Sequence, residues 1–268
     1  MNLKKKFITK KSLGQNFISN PKILESMVKA GGVDKKDIVV EVGPGQGTLT
    51  DYLIKSANQV IAIEKDSRLI ESLNNKYKLD KNIKIIENDA LTFNPQEFNL
   101  KPNQYKIIAN IPYYITSYFI RKVLEEWPAP KLIVLMVQKE VAQRIMAEPP
   151  DSSILSISTQ LYVEPKIISY VSKNNFKPKP KVDSAIILLT PKTQTMTRGE
   201  TSLFLDFVKT GFSSKRKILA GNLAKGLNID RDFIDHEVKK IIGDEKCRAE
   251  NLELQDWLSL FKSIDLNK

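Results

Sequence analysis

The stretch Asn110-Ile-Pro-Tyr-Tyr114 brings together the residue types best suited to chemistry in this 268-residue chain. Asn110 brings a side-chain carbonyl, a neutral acceptor. Pro112 has a fixed φ and no N–H, so the turn is stiff and its carbonyls are free to accept. Tyr113 and Tyr114 add flat aromatic faces. Acceptors beside a stacking ring suit a planar ring that carries an exocyclic amine. Taken alone, the pentapeptide also reads as a plain strand-to-helix turn, with Asn110 as cap and both tyrosines packed inside.

The apolar run Tyr105–Ala109 reads as a buried strand. Asn110 therefore stands at a strand's carboxyl end, the edge where open α/β sheets hold ligands. Other candidates share that edge. Gly43-x-Gly45-x-Gly47 follows the strand Ile38–Val42 and precedes a helical pattern. Such glycines let backbone approach a ligand, and the helix start offers free N–H groups. Glu64 ends the next strand, 21 residues after Gly43, where a carboxylate can bind ribose hydroxyls. Asp89 follows the third strand; it can accept from an adenine amine or cap a turn. The glycine spacing is not the Gly-x-Gly-x-x-Gly of dinucleotide sites, and a dinucleotide would leave the Asn110 turn without a role. Gly43, Glu64 and Asp89 suit S-adenosylmethionine better than NAD.

Seven strands position these residues: 38–42, 59–64, 83–88, 105–109, 132–137, 167–171 and 185–189. Helical patterns alternate with most of them, and Asn20-Pro21 opens a further helix to Ala30 as cap and first turn. The pattern predicts a seven-stranded, mostly parallel sheet with helices on both faces, an α/β fold. The loop before the last strand is too short for a crossover helix, so that strand is expected to be antiparallel. Beyond the polar segment Thr190–Thr197, only helical spacing remains, at 201–210, 215–225, 231–241 and 254–261. The expected domains are 1–194, α/β, and 195–268, all-helical.

The net charge of +11 points to nucleic acid or an anionic surface. Lys4, Lys5, Lys6, Lys10 and Lys11 form one basic group. Lys177, Lys179 and Lys181 alternate with Pro178 and Pro180 beside Phe176, and Lys215, Arg216 and Lys217 form a third group. With Phe176 adjacent, these read as a track for RNA phosphates. Phe176, flanked by Asn175 and Lys177, is poorly placed for a core. Cys247 and His236 are the only residues of their types, which excludes an internal disulfide and zinc sites of several His or Cys. Both read as structural, and no metal is expected. The N-terminus lacks an apolar signal core, and no apolar run reaches the ~18 residues of a membrane span. The sequence predicts a soluble, cytoplasmic monomer with no membrane partner.

Leu13-Gly-Gln-Asn-Phe-Ile18, Glu41-Val-Gly-Pro-Gly-Gln-Gly47, Ile63-Glu-Lys-Asp66, Asn88-Asp-Ala90, Asn110-Ile-Pro-Tyr-Tyr-Ile115 and Phe176–Ser184 occur in that order. With Gly211–Leu219 and Arg248-Ala-Glu250, they make the chain resemble the bacterial ribosomal-RNA small-subunit adenine dimethyltransferases nearly end to end. The resemblance implies a Rossmann-like class I methyltransferase domain with a small helical domain that docks RNA. It implies transfer of two methyls to N6 of each of two adjacent adenosines near the 3′ end of 16S rRNA, with S-adenosylhomocysteine as product and a role in small-subunit biogenesis. It implies that Asn16, Ile18, Gly43, Glu64, Asp89 and Asn110 line the cofactor site, and that Tyr113 and Phe176 sandwich the target base. Ile18 departs mildly from the usual Leu. Large-subunit rRNA methyltransferases of the macrolide-resistance type share several motifs but not the Phe212–Leu219 segment. A non-catalytic assembly checkpoint and an NAD-dependent oxidoreductase complete the alternatives.

Overall fold

The structure, a computed structural model, describes residues 16–18 and 20–264. The basic group Lys4–Lys11 and Leu13-Gly-Gln lie outside the described residues. The chain forms β1 (Phe17–Ile18), α1 (Pro21–Ala30), β2 (Ile38–Val42), α2 (Thr50–Ser56), β3 (Gln59–Glu64), α3 (Ser67–Lys76), β4 (Ile83–Glu87), β5 (Tyr105–Asn110) and α4 (Thr116–Glu126). There follow β6 (Leu132–Gln138), α5 (Lys139–Ile145), α6 (Ile154–Tyr162), β7 (Val163–Val171), β8 (Phe176–Lys177) and β9 (Ser184–Pro191). The last four helices are α7 (Arg198–Gly211), α8 (Leu219–Leu227), α9 (Arg231–Ile242) and α10 (Leu254–Ile264).

The expected sheet is present. Its strand order is β4-β3-β2-β5-β6-β9-β7. Pairings among β4, β3, β2, β5 and β6 are parallel, and β9 runs antiparallel to β6. Nearly continuous apolar runs such as Ile38-Val-Val fit strands covered on both faces. The strand order reverses between β2 and β5. That is the switch point where an open sheet leaves a crevice at its carboxyl edge. Asn20 caps α1 as the sequence predicts, its side chain accepting from Lys22 N–H.

The described residues divide into two compact units, one holding those up to 142 with 166–191, the other 143–165 with those from 192 to 264. The break before α7 falls close to the expected 194, but residues 143–165, expected in the α/β domain, group with the C-terminal helices. Ile157 of α6 is buried in the same core as Phe204, Phe207 and Trp257, so α6 belongs with the C-terminal helices. That helical unit starts α7 with a reciprocal cap between Thr197 and Glu200. Cys247 lies in its core, where burial pushes the thiol up to about 11. His236 is exposed on α9. Among the described residues no helix is long and apolar enough to cross a membrane.

One buried ion pair ties β5 to the turn before β2. Lys106 Nζ donates to Asp37 Oδ2 and to the Gly32 carbonyl, each at 2.7 Å. Burial opposes ionisation of Asp37, but Lys106 and the Asp34 N–H outweigh it and hold the carboxyl below its ordinary value. Removing one partner of such a pair strands the other charge. Lys106→Met is expected to cost roughly 3 kcal/mol, read as a lower urea midpoint with unchanged slope.

Candidate active site

The carboxyl ends of β2, β3 and β5 converge on one trough. Asn16, Phe17, Gly43, Gly45, Asn110 and Tyr113 line one part of it. Asn88, Asp89 and Ala90 line the other. Gly43, Glu64, Lys65, Pro112 and Tyr114 border both.

The glycine turn is shaped by backbone that other residues rarely adopt. Gly43 and Gly45 have φ of +68° and +60°. A Cβ on Gly43 would project toward Pro112 and the Asn110 carbonyl, at 3.7 and 3.9 Å, narrowing the gap between the ends of β2 and β5. A Cβ on Gly45 would lie 2.5 Å from the Phe17 ring, so glycine there lets the N-terminal segment close over the turn.

Glu64 is buried at the end of β3. Its two carboxylate oxygens accept from Gly45 N–H at 3.0 Å and Asp66 N–H at 2.8 Å. Burial raises its carboxyl above the ordinary value, against the pull of those N–H groups. Each oxygen keeps lone-pair capacity for a hydroxyl donor. Asp89 accepts from Leu91 N–H at 2.9 Å and from Lys65 Nζ at 2.6 Å. Burial opposes ionisation there too, but these bonds hold Asp89 below the usual carboxylate range. Asp89 thus caps its own turn, and it lines the trough. A ribose diol at Glu64 beside an adenine amine at Asp89, with backbone approaching at Gly43, fits this donor set. Among the described residues no cluster of three or more His, Cys, Asp or Glu could hold a metal.

Asn110 does not cap the following helix. Its Nδ2 donates to the Asn16 carbonyl at 3.0 Å. A carbonyl can only accept, so this contact fixes the amide and leaves Oδ1 as the acceptor. The Pro112 carbonyl is less free than the sequence implies. It accepts from Ile115 N–H at 3.2 Å and retains a second lone pair.

The aromatic assignments change. Tyr113 is half-buried, and its Oη shares a 2.6 Å hydrogen bond with Ser184 Oγ on β9. Tyr114, packed inside on the plain-turn reading, is 59% exposed. Phe176, expected outside the core, is 2% exposed and does not border the trough. The cause is strand pairing: β1 and β8 are antiparallel, with Ile18 opposite Phe176, and both side chains enter one apolar cluster. Ile18 likewise turns its side chain inward. Lys177, Lys179 and Lys181 are exposed in the first unit, and Lys215, Arg216 and Lys217 in the second.

Lys65, Phe17 and Ser184 were given no role by sequence reasoning. Lys65 could have been flagged as the basic neighbour of Glu64. Ser184 meets Tyr113 across 71 residues, and no local signal announces that. Glu41 on β2 is the other omission. It is 1% exposed, accepts from Thr50 Oγ1 at 2.6 Å, and is pushed by burial up to about 8.

Residues 6–266 match the family model described as ribosomal RNA adenine dimethylase. The chain is 38% identical over 252 residues to a ribosomal RNA small subunit methyltransferase A of Dehalococcoides mccartyi (strain CBDB1), covering 94% of this chain and 87% of that one. It is 38% identical over 264 residues to the protein of that name from Clostridium botulinum (strain Okra / Type B1), covering 97% and 96%. Among solved structures it is similar to a dimethyladenosine transferase from Plasmodium falciparum, with TM-score 0.77, 29% identity and coverage of 93% and 97%. It is similar also to the 23S rRNA methyltransferase ErmE, with TM-score 0.77, 26% identity and coverage of 93% and 100%. With the family model spanning almost the whole chain and the trough ending on the turn that the motif Asn110–Tyr114 builds, the chain belongs to the ribosomal RNA adenine dimethylase family.

Proposed function

We propose that the protein transfers methyl groups from S-adenosylmethionine to N6 of two adjacent adenosines near the 3′ end of 16S rRNA, in the small subunit or its precursor. The observation that carries this reading is the fixed amide of Asn110, a neutral acceptor held at the carboxyl edge of β5 beside Gly43. The curated relatives at 38% identity, both named ribosomal RNA small subunit methyltransferase A, support the small-subunit target.

S-adenosylmethionine supplies an electrophilic methyl group on its sulfonium. Glu64 takes the ribose hydroxyls, Asp89 the adenine amine, and Asn16, Gly43 and Gly45 the amino-acid end. The nucleophile is the target N6, whose lone pair is delocalised into its ring. Asn110 Oδ1 and the Pro112 carbonyl accept from its two hydrogens, turn it toward the methyl and favour charge growing on nitrogen. Orientation and placed dipoles account for the gain. The amine becomes acidic once alkylated, so no strong base is required. The target base leaves its stack to enter, and Tyr113, held by Ser184, offers it a face. Lys177, Lys179 and Lys181 in one unit and Lys215, Arg216 and Lys217 in the other contact RNA phosphates.

The similarity to ErmE gives the large-subunit reading its support. The test is transfer from labelled S-adenosylmethionine to small subunits lacking the methyl marks and, separately, to unmarked large-subunit rRNA. Label on the small subunit alone is expected. Label on large-subunit rRNA alone would assign the other target, and binding without label would leave an assembly role only.

A further inference from the structure

The helical turn at Tyr113–Ile115 runs directly into α4. Its inner face is settled: Ile115, Thr116, Phe119, Ile120 and Val123 are buried. Its outer face carries Tyr114, Ser117, Tyr118 and Arg121, all exposed. These positions have the spacing i, i+3, i+4 and i+7, one stripe on a helical surface. Tyr114 is 59% and Tyr118 60% exposed. Two large rings left in water forgo the burial that rings of this size usually find, and exposed apolar surface next to a functional cleft marks a contact surface.

The stripe begins at the trough, which Tyr114 borders on both parts, and leads away from it. At its far end Glu125 holds the Arg121 Nε with both carboxylate oxygens at 3.0 Å, which fixes the guanidinium on this face. Aromatic faces followed by a held cation are what single-stranded nucleic acid uses, bases on rings and phosphate on charge. Residues four apart on a helical face lie about 5–6 Å apart at Cβ, so the two rings can engage one base.

We propose that Tyr114 and Tyr118 form an exposed stacking step that holds the nucleotide adjacent to the adenosine in the pocket. This rests on the reading that the trough receives an RNA adenine, and it adds where the neighbouring base goes. With two adjacent targets, the waiting adenosine sits on the step while its partner occupies the site. The occupant is an unpaired purine of the same RNA strand, since the stripe continues from the pocket mouth and offers ring faces without base-edge donors in a fixed array.

The test uses the full chain and a single-stranded RNA with two adjacent adenosines, one replaced by 2-aminopurine. That base lacks the N6 amine, so it takes the neighbour's place, and its fluorescence falls when it stacks. The parent protein is expected to quench it on binding. Tyr118→Ala, which does not border the trough, is expected to weaken binding roughly fivefold or more and leave the probe bright, with S-adenosylmethionine affinity unchanged. Tyr118→Phe keeps the ring and is expected to behave as the parent. Quenching and affinity unchanged in Tyr118→Ala, in a parent that binds RNA and methylates, would overturn the stacking step alone. A parent protein that neither binds this RNA nor transfers methyl to small subunits would overturn the step together with the reading beneath it.

Discussion

Asn110→Ala is expected to lower methyl transfer by roughly a hundred- to a thousand-fold, the cost of losing one placed dipole at a centre that develops charge. The loss should fall on the single-turnover rate more than on RNA affinity, because the acceptor matters most as the amine turns pyramidal. Asn110→Asp separates orientation from polarity. A carboxylate keeps an acceptor but has no N–H for the Asn16 carbonyl, which now takes the 3.0 Å bond from Nδ2. The carboxylate and that carbonyl would repel, and the segment Asn16–Ile18 would lose its tie to β5. Asn110→Asp is therefore expected to be slow as well, with weaker S-adenosylmethionine binding. An Asn110→Asp variant as fast as the parent would mean that a fixed neutral amide is not what the site requires.

Glu41→Gln is expected to stabilise the protein in alkaline solution. Glu41 is buried, so its folded pKa rises from the ordinary 4.5 to about 8. The folded chain then holds a proton that the unfolded chain releases between those values. Stability from this group is complete below pH 4.5 and is lost as pH rises to about 8, at about 1.4 kcal/mol per unit. A glutamine mimics the protonated acid and still accepts from Thr50 Oγ1. The variant should match the parent near pH 4 and exceed it by roughly 4 kcal/mol by pH 8–9. Urea unfolding at stepped pH reads the difference directly. Equal stability of the two proteins across pH 5–9 would show that Glu41 ionises in the fold.

Much of the sheet and of the trough was legible because the signals are local. Gly43 and Gly45 had to be glycine for a turn at positive φ, and Glu64, Asp89 and Asn110 each follow a run of strand-forming residues. Parallel strands put their carboxyl ends on one edge, so strand position alone brought the three together. The aromatic assignments failed for two different reasons. Tyr114 was readable: carrying the apolar phase of Phe119 and Val123 back one turn buries Ile115 and turns Tyr114 and Tyr118 outward. Phe176 was not. Its burial depends on pairing with Ile18, a partner 158 positions away, and its polar neighbours gave the opposite signal. The placement of residues 143–165 is of the second kind. A helix between strands reads as part of the sheet domain, yet Ile157 packs into the core around Trp257, which only the tertiary fold reveals. The buried Phe176 also bears on the site: of the two rings expected to sandwich the base, Tyr113 borders the trough, and Phe176 could face a base only by leaving its core position.

The most direct measurement is the chemical identity of the methylated nucleoside. Small subunits lacking the marks would be incubated with the protein and S-adenosylmethionine, and their RNA digested for mass spectrometry. Acceptors placed for the amine hydrogens at Asn110 and Pro112 make N6 the expected site of transfer, so the proposed reaction predicts N6,N6-dimethyladenosine, lost with Asn110→Ala. Methylation at a ring nitrogen, a ring carbon or a ribose hydroxyl would contradict the assignment of that turn as the amine-orienting element.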